Sequence, residues 1–101
     1  MDKTKTNTQN VQHLNIRVHG KVQGVFFRKN TEAKAKALGI NGFVRNEPDG
    51  TVYAEAEGSI SQLDQFTDWL EEGPEIAVVS KLETNRGALK GFEDFRIEYA
   101  H

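Results

Sequence analysis

The chain has 101 residues, 37% of them hydrophobic, so it can form one domain with a single core and is too short for two. Its formal net charge of −2 argues against a general nucleic-acid binder, and no apolar run is long enough to cross a membrane. The absence of cysteine excludes disulfides, thiolate nucleophiles and cysteine-ligated metals, and it is consistent with a cytoplasmic location.

The charge is unevenly distributed along the chain. Residues 17–45 contain seven Lys or Arg and one acid, a net charge of +6, so the remaining residues carry −8. A basic segment beside an acidic remainder indicates a local anion site. The alternative is that Lys29, Glu32 and Lys36 are simply the solvated face of a helix.

The chain opens with a polar extension, which a strand and a helix follow. The first ten residues lack the apolar core of a signal peptide, so we expect residues 1–12 to be disordered and the domain to span 13–101. Residues 13–19 alternate in hydrophobicity, which predicts a strand, and residues 26–38 follow a helical period that ends at Gly39. The predicted buried stripe of this helix comprises Phe27, Thr31 and Leu38, flanked by Phe26, Ala33 and Ala37.

A hairpin is predicted next. Its strands are residues 40–46 and 51–57, and the EPDG sequence at 47–50 places proline and glycine where a type I turn favours them. Asn46 ends the first of these strands. Local turn hydrogen bonds are the simplest role for Asn46 and for Asp49; alternatively, the Asn46 amide orients a water molecule towards a bound anion.

A second helix and two strands complete the predicted domain. The helix begins around Ser59, with Ser61 as a candidate cap and Asp64 at the third helical position, and Gly73-Pro74 ends it. Its predicted buried face comprises Leu63, Phe66 and Leu70. The last predicted strands are residues 76–84 and 93–99, with a loop at 85–91.

The element order is βαββαβ with one further strand, the split βαβ pattern of an α+β domain. Two helices then cover one face of a mainly antiparallel sheet. A right-handed helical crossover makes the first two strands parallel, so their carboxyl ends lie at the same edge. We expect residues 20–28 and Asn46 to meet at that edge.

Residues 20–28, GKVQGVFFR, are the candidate anion site. Successive backbone N–H groups in a turn that runs into a helix form an anion cradle, and Gly20 and Gly24 permit the necessary backbone angles. Arg28 adds a forked, permanently charged donor. The spacing alone nevertheless favours a plain turn with a solvent-facing arginine. A Walker A loop is excluded, because its lysine and Ser/Thr are absent.

The other polar residues form no catalytic constellation. The histidines, which lack metal-ligand spacing, are His13, His19 and His101. Solvated positions on exposed faces are predicted for Glu55, Glu57, Asp64 and Asp68. Trp69 and the phenylalanines of the helices are predicted to belong to the core. Ser59 and Ser61 are better explained as helix caps than as nucleophiles, because no base is placed near them.

Two segments together resemble the signature of the acylphosphatase family. Residues 20–28 are similar to its motif G-x-V-Q-G-V-x-F-R, and residues 42–50, GFVRNEPDG, to its motif G-W-V-R-N-x-x-D-G. The similarity covers about residues 13–99. Phe43 stands where the family has tryptophan and Glu75 where it has a second proline, and neither departure touches a mechanistic residue.

The resemblance implies a ferredoxin-like sandwich that hydrolyses the carboxyl–phosphate bond of acyl phosphates. By position, Arg28 would bind the phosphate and Asn46 would orient the attacking water. The implied backbone cradle comprises Lys21, Val22, Gln23, Gly24 and Val25, supported by Gly20 and Phe27. We expect no metal, no cofactor and no covalent intermediate. We also expect a cytoplasmic monomer that phosphate or sulfate inhibits and that has no nucleic-acid or membrane partner.

Two other functions remain open on the sequence. A sheet of this kind also serves as an RNA-recognition platform, although the third strand offers only Tyr53 amid acids. The second alternative is a carbamoyl-phosphate-handling domain like the one at the start of a hydrogenase maturation factor, which belongs to long chains with cysteine-rich zinc modules. The acyl group of the substrate stays unassigned, because a site that binds only the phosphate discriminates little between acyl groups.

Overall fold

A computed structural model of the chain describes residues 11–24 and 26–99. Most of the predicted N-terminal extension therefore lies outside the described residues, and the first strand already begins at Gln12. Within the described part of the chain, no helix is both long enough and apolar enough to span a membrane.

All of the predicted helices and strands are present. Their bounds are β1 Gln12–Lys21, α1 Phe27–Leu38, β2 Asn41–Asn46, β3 Val52–Gly58, α2 Ile60–Glu72, β4 Val78–Gly87 and β5 Phe95–Glu98. The predicted bounds of the last two strands are wrong. β4 extends into the predicted loop as far as Gly87, because it stays paired with β1 up to His13. β5 is shorter than predicted.

The sheet has the strand order β4-β1-β3-β2-β5. β1 and β2 both pair antiparallel with the central strand β3, so they run parallel to each other, as the crossover rule predicted. Val18 near the end of β1 and Asn46 at the end of β2 both lie opposite Val52 of β3. The predicted meeting of the two carboxyl ends is therefore confirmed.

The core lies between the sheet and the two helices. α2 buries Leu63, Phe66 and Leu70, as predicted, and α1 buries Phe27, Thr31 and Ala35. One aromatic contact joins the helix layer to β5, where the rings of Phe66 and Phe95 meet edge to face with centres 6.0 Å apart. Burial of these apolar side chains positions the start of α1 over the edge where β1 and β2 end.

Of the two serines predicted as caps of α2, one acts as the cap. Ser59, not Ser61, precedes the helix in an extended conformation, and its hydroxyl accepts the N–H of Gln62 at 3.1 Å. The Gln62 side chain in turn accepts the N–H of Ser59 at 2.7 Å. This reciprocal capping box gives partners to two backbone N–H groups at the start of the helix. A cap formed by Ser61 and Asp64 would satisfy no more of them.

The sheet face opposite the helices is covered by the loop at residues 88–94. Glu57 accepts the backbone N–H groups of Lys90, Gly91 and Phe92 at 2.6, 3.1 and 3.3 Å, and the His13 ring lies 2.7 Å from its carboxylate. Glu55 pairs with the Lys90 ammonium at 2.8 Å. The predicted exposure of Glu55 and Glu57 is therefore wrong. Both are only 6% exposed, whereas Asp64 and Asp68 are exposed as predicted.

Candidate active site

The strand β1 leads into the predicted cradle through an irregular step. Its register with β4 shifts between His19 and Gly20, and Gly20 has φ 128°. Any Cβ at Gly20 would overlap the backbone of β4, so the two strands meet here without room for a side chain. Beyond Lys21 the chain turns at Gly24, with φ 75°, while the side chain of Val22 is buried beneath it. Val25 lies outside the described residues.

The helix α1 begins without a side-chain cap. Phe26 occupies the capping position in a left-handed conformation with φ 58°, and no side chain accepts from the first turn, which contains no acid. The first backbone N–H groups of a helix lack partners within it, and the helix dipole places partial positive charge there. The start of α1 is therefore suited to an anion.

Phe26 does not lie beside the buried stripe of α1, so that prediction is wrong. Its side chain is 73% exposed, because the left-handed backbone at this position turns it away from the core. Phe27 takes the buried position instead, with its ring tilted against that of Trp69 at 6.3 Å between centres. The core prediction for Trp69 is confirmed, since this half-buried side chain packs against the cluster.

A cleft of about 320 Å³ opens between the loop, the start of α1 and the end of β2. The predicted site residues Gly24, Arg28 and Asn46 all line it. Lys29 is its second charged residue, and no carboxylate among the described residues takes part in the lining. The described lining of the cleft is thus positively charged, with no carboxylate to repel an anion.

Arg28 and Asn46 both have unused polar groups in this cleft. The Arg28 guanidinium lies over the ring of Tyr99, 4.9 Å from its centre, and pairs with no carboxylate in the described part of the chain. The Oδ1 atom of Asn46 is buried and has no hydrogen-bond partner there. A buried polar atom without a partner is costly, so a ligand or water in the cleft is the natural partner of Asn46.

Gln23 has a function that the sequence reasoning missed. Its side-chain amide donates to the carbonyl oxygens of Glu47 and Thr51, both at 2.9 Å. These carbonyls flank the turn that follows Asn46, so Gln23 ties the cradle to the end of β2. The resemblance implies a role only for the backbone of Gln23. Asp49 keeps the predicted turn role, accepting the N–H of Thr51 at 3.0 Å.

The histidines lie away from the cleft. His13 is buried against Glu57, and His19 contacts Glu83 at 2.7 Å on the sheet face, while His101 lies outside the described residues. Across residues 11–24 and 26–99, no group of three or more His, Asp or Glu side chains is arranged to hold a metal ion.

The outer sheet face does not present the free aromatic surface that an RNA-recognition platform requires. Tyr53 lies between Arg17 and Arg45, whose guanidinium carbons are 5.1 and 5.0 Å from its ring centre. Its hydroxyl donates to Glu55 at 2.7 Å, and burial together with this bond raises the pKa of Tyr53 to about 12. The faces of this ring are therefore occupied by protein groups.

Comparison with known proteins places the chain among relatives of similar size. Residues 14–97 match the acylphosphatase family model. An acylphosphatase from Acaryochloris marina is 46% identical over 88 residues, covering 87% of this chain and 95% of the relative. The solved structure of an acylphosphatase from Coxiella burnetii superposes with a TM-score of 0.88 at 35% identity, covering 97% of this chain and 100% of that one.

A longer protein also shares the fold. HypF, solved in a phosphate- and nucleotide-bound form, superposes with a TM-score of 0.79 at 26% identity and covers 87% of this chain, but only 12% of HypF is matched. The Acaryochloris relative is instead matched over 95% of its own length, and the family model matches residues 14–97 of this chain. The chain belongs to the acylphosphatase family.

Proposed function

We propose that the cleft at the start of α1 carries out the acylphosphatase reaction, in which water cleaves the carboxyl–phosphate bond of an acyl phosphate. One observation carries this proposal. Within residues 11–24 and 26–99, the Arg28 guanidinium and Asn46, whose Oδ1 has no partner there, line one cleft that contains no carboxylate, beside a helix start without a side-chain cap. A dianionic phosphoryl group supplies the negative charge and the acceptors that the Arg28 guanidinium and the helix-start N–H groups lack, and the attacking water supplies the donor that Asn46 Oδ1 lacks.

The chemistry requires few protein groups. Water attacks phosphorus while the bond between phosphorus and the acyl oxygen breaks, so the products are a carboxylate and inorganic phosphate. A carboxylate is a weak base, and it leaves without protonation by a general acid. Phosphoryl transfer through a loose transition state mainly needs positioning and electrostatic support for the equatorial oxygens.

Each role falls to a residue of the cleft. The backbone N–H groups of residues 21–25 and the Arg28 guanidinium bind the phosphoryl oxygens and stabilise the charge that builds on them. The Asn46 Oδ1 accepts a hydrogen bond from the attacking water and holds it in line with the leaving group. A neutral amide suits this position, because a carboxylate there would repel the phosphate. Gly20 and Phe27 support the cradle from behind.

The proton released by the attacking water is taken up by a phosphoryl oxygen of the substrate, because no side-chain base lines the cleft in the described part of the chain. We propose neither a metal ion nor a covalent enzyme intermediate. Inorganic phosphate and sulfate should bind in the same cradle as competitive inhibitors. A cytoplasmic, monomeric enzyme with no nucleic-acid or membrane partner completes the proposal.

The test compares three alanine variants by hydrolysis of benzoyl phosphate, with and without EDTA. Arg28→Ala should lose at least about 10²-fold in kcat/KM, the scale for removing one donor to the transition state. Asn46→Ala should lose most turnover yet keep inhibition by phosphate, because the cradle and Arg28 are intact. The matched control is Arg96→Ala, since the Arg96 side chain is 67% exposed on β5, outside the cleft.

Several outcomes would contradict the proposal. Near-normal turnover by Arg28→Ala or Asn46→Ala would remove that residue from the mechanism. Loss of activity in EDTA that added metal restores would overturn the metal-free reaction. Asn46→Asp provides a further check, because it retains the shape of the side chain and adds a charge, so it should weaken phosphate inhibition as well as turnover.

A further inference from the structure

Part of the active-site cleft is apolar. Phe26, Ile97 and Tyr99 line it together with Arg28 and Asn46. Phe26 is 73% exposed and Tyr99 is 64% exposed. Single exposed apolar side chains are common on proteins. Here two aromatic rings and an aliphatic side chain share one cleft with the phosphate-binding groups, so their placement needs an explanation.

The backbone at Phe26 does not explain the choice of phenylalanine. Phe26 is the one residue other than glycine with positive φ in the described part of the chain. Glycine or asparagine adopts this left-handed conformation at lower cost, and phenylalanine is unfavourable there. Phe26 also caps no helix donor with its side chain and is not part of the core. The ring is therefore retained at a strained position where neither local structure nor packing requires it.

The ring lies in a cleft with room for more than a phosphoryl group. An acyl phosphate bound with its phosphoryl group at Arg28 and the cradle still has to place its acyl group within the same cleft. The volume of about 320 Å³ exceeds what a phosphoryl group alone occupies. Phe26 directly precedes α1, lies two residues from Arg28 and lines the same cleft, so its ring is within reach of an acyl group whose phosphoryl group binds at Arg28.

We propose that Phe26, with Ile97 and Tyr99, forms a binding surface for the acyl group. The enzyme should then favour acyl phosphates with aromatic or extended apolar acyl groups over acetyl phosphate. This inference rests on the proposed function, since it takes the phosphoryl group to bind at Arg28. A benzoyl ring can pack against the Phe26 ring, whereas the methyl group of acetyl phosphate is too small to make that contact.

Phe26 is a better test residue than Tyr99, because the Tyr99 ring also contacts the Arg28 guanidinium. Phe26→Asn removes the ring and tolerates the left-handed backbone, so the loop should keep its shape. Phe26→Tyr retains the ring. The control Leu89→Asn makes the same kind of change at an exposed apolar residue, 56% exposed, in the loop on the opposite side of the sheet.

The experiment measures kcat/KM for benzoyl phosphate and for acetyl phosphate, together with the inhibition constant of inorganic phosphate. In Phe26→Asn the ratio of the two kcat/KM values should fall about tenfold, mainly through a higher KM for benzoyl phosphate. Acetyl phosphate hydrolysis and phosphate inhibition should stay within about twofold of wild type, since the cradle is unchanged. Phe26→Tyr and Leu89→Asn should keep the wild-type ratio.

The outcomes separate this inference from the proposed function. An unchanged ratio in Phe26→Asn, with both substrates still hydrolysed, would overturn the acyl-group surface and leave the function standing. Equal losses on both substrates with weaker phosphate inhibition would assign Phe26 to the cradle, which also overturns the inference. A wild-type protein that hydrolyses neither substrate would overturn the proposed function.

Discussion

Gly20 and Gly24 are the two glycines of the sequence motif, but their surroundings in the structure differ. Gly20 lies at the register shift between β1 and β4, where an added Cβ would overlap the carbonyl oxygen of Val78 and approach the Ser80 nitrogen to 2.8 Å. Gly24 also has a positive φ, but nothing lies within 4 Å of its hypothetical Cβ. Gly20 is thus required by both space and backbone angle, and Gly24 by backbone angle alone.

Alanine substitution should separate these two requirements. Gly20→Ala should lower the free energy of unfolding by at least about 3 kcal/mol, because the overlap is with backbone atoms that cannot rotate away. Gly24→Ala should cost about 1 kcal/mol, the strain of a left-handed alanine. Urea denaturation of both variants measures the difference. Similar losses at the two positions would show that strand crowding at Gly20 is not decisive.

The sequence placed some cleft residues and missed others for identifiable reasons. Arg28 and Asn46 could be brought to one edge because the motif and the crossover rule each constrain them. Phe26 was misplaced because helical periodicity assumes right-handed backbone angles, which this residue does not adopt. The bridge made by Gln23 escaped detection because its partners, the carbonyls of Glu47 and Thr51, are distant in sequence.

The number, type and order of the helices and strands were predictable from the sequence. The residues at which each helix or strand begins and ends were less predictable. Hydrophobic period identifies an element from many residues, but a helix start depends on one or two side chains. Ser59 and Ser61 are both acceptable caps by residue type. The capping box that Ser59 forms with Gln62 decides between them, and Gln62 also donates to the carbonyl of Leu38 at 2.8 Å, which ties α2 to the end of α1.

Removal of the two serine hydroxyls should have unequal effects on α2. Ser59→Ala should lower the free energy of unfolding by about 1 kcal/mol, because two helix-start donors lose their arrangement. Ser61→Ala should change it by less than about 0.5 kcal/mol, since Ser61 is exposed within the first turn. Thermal or urea unfolding tests the order of the two values, and a larger loss in Ser61→Ala would refute the observed cap.

For the whole molecule, the central strand β3 determines how the two halves of the site meet. Val52 lies opposite both Val18 of β1 and Asn46 of β2. Pairing with the same residue of β3 therefore brings the strand that leads to the cradle level with the strand that ends in Asn46. The side chain of Gln23 adds a direct link between the same regions. The order βαββαβ and the handedness of the crossover were sufficient to predict this arrangement.

The network on the outer sheet face could not be predicted, because its partners come from a loop without periodicity. His13, Glu55 and Glu57 read as alternate polar residues of ordinary strands. Their burial follows only once Lys90 and Phe92 fold over them, with the Phe92 ring stacked at 5.9 Å from the centre of the His13 ring. Hydrogen bonds from the loop replace the water that these groups lose.

This network should make the stability of the molecule sensitive to acid. Burial by itself would raise the pKa of Glu57, but the N–H of Lys90, the His13 ring and the N–H groups of Phe92 and Gly91 outweigh it and lower the pKa. A carboxyl whose pKa is lowered by folding stabilises the protein above the pH range of about 4 to 5, where an ordinary glutamate titrates. That stability is lost as the pH falls through the lower, folded-state pKa.

Glu57→Gln should reveal the contribution of this carboxylate. At pH 7 the variant should be less stable by about 2 kcal/mol, because hydrogen bonds to a charged acceptor become bonds to a neutral one. Below the pH range of about 4 to 5 the difference should shrink, because the unfolded chain then binds a proton at Glu57 that the folded chain, with its lowered pKa, binds less readily. Urea denaturation from pH 3 to 7 measures both slopes, with Asp68→Asn, at an exposed acid of α2, as the matched control. A gap between wild type and Glu57→Gln that stays constant with pH would mean that folding does not lower the pKa of this carboxyl, so the acid sensitivity would have to arise from groups outside the network.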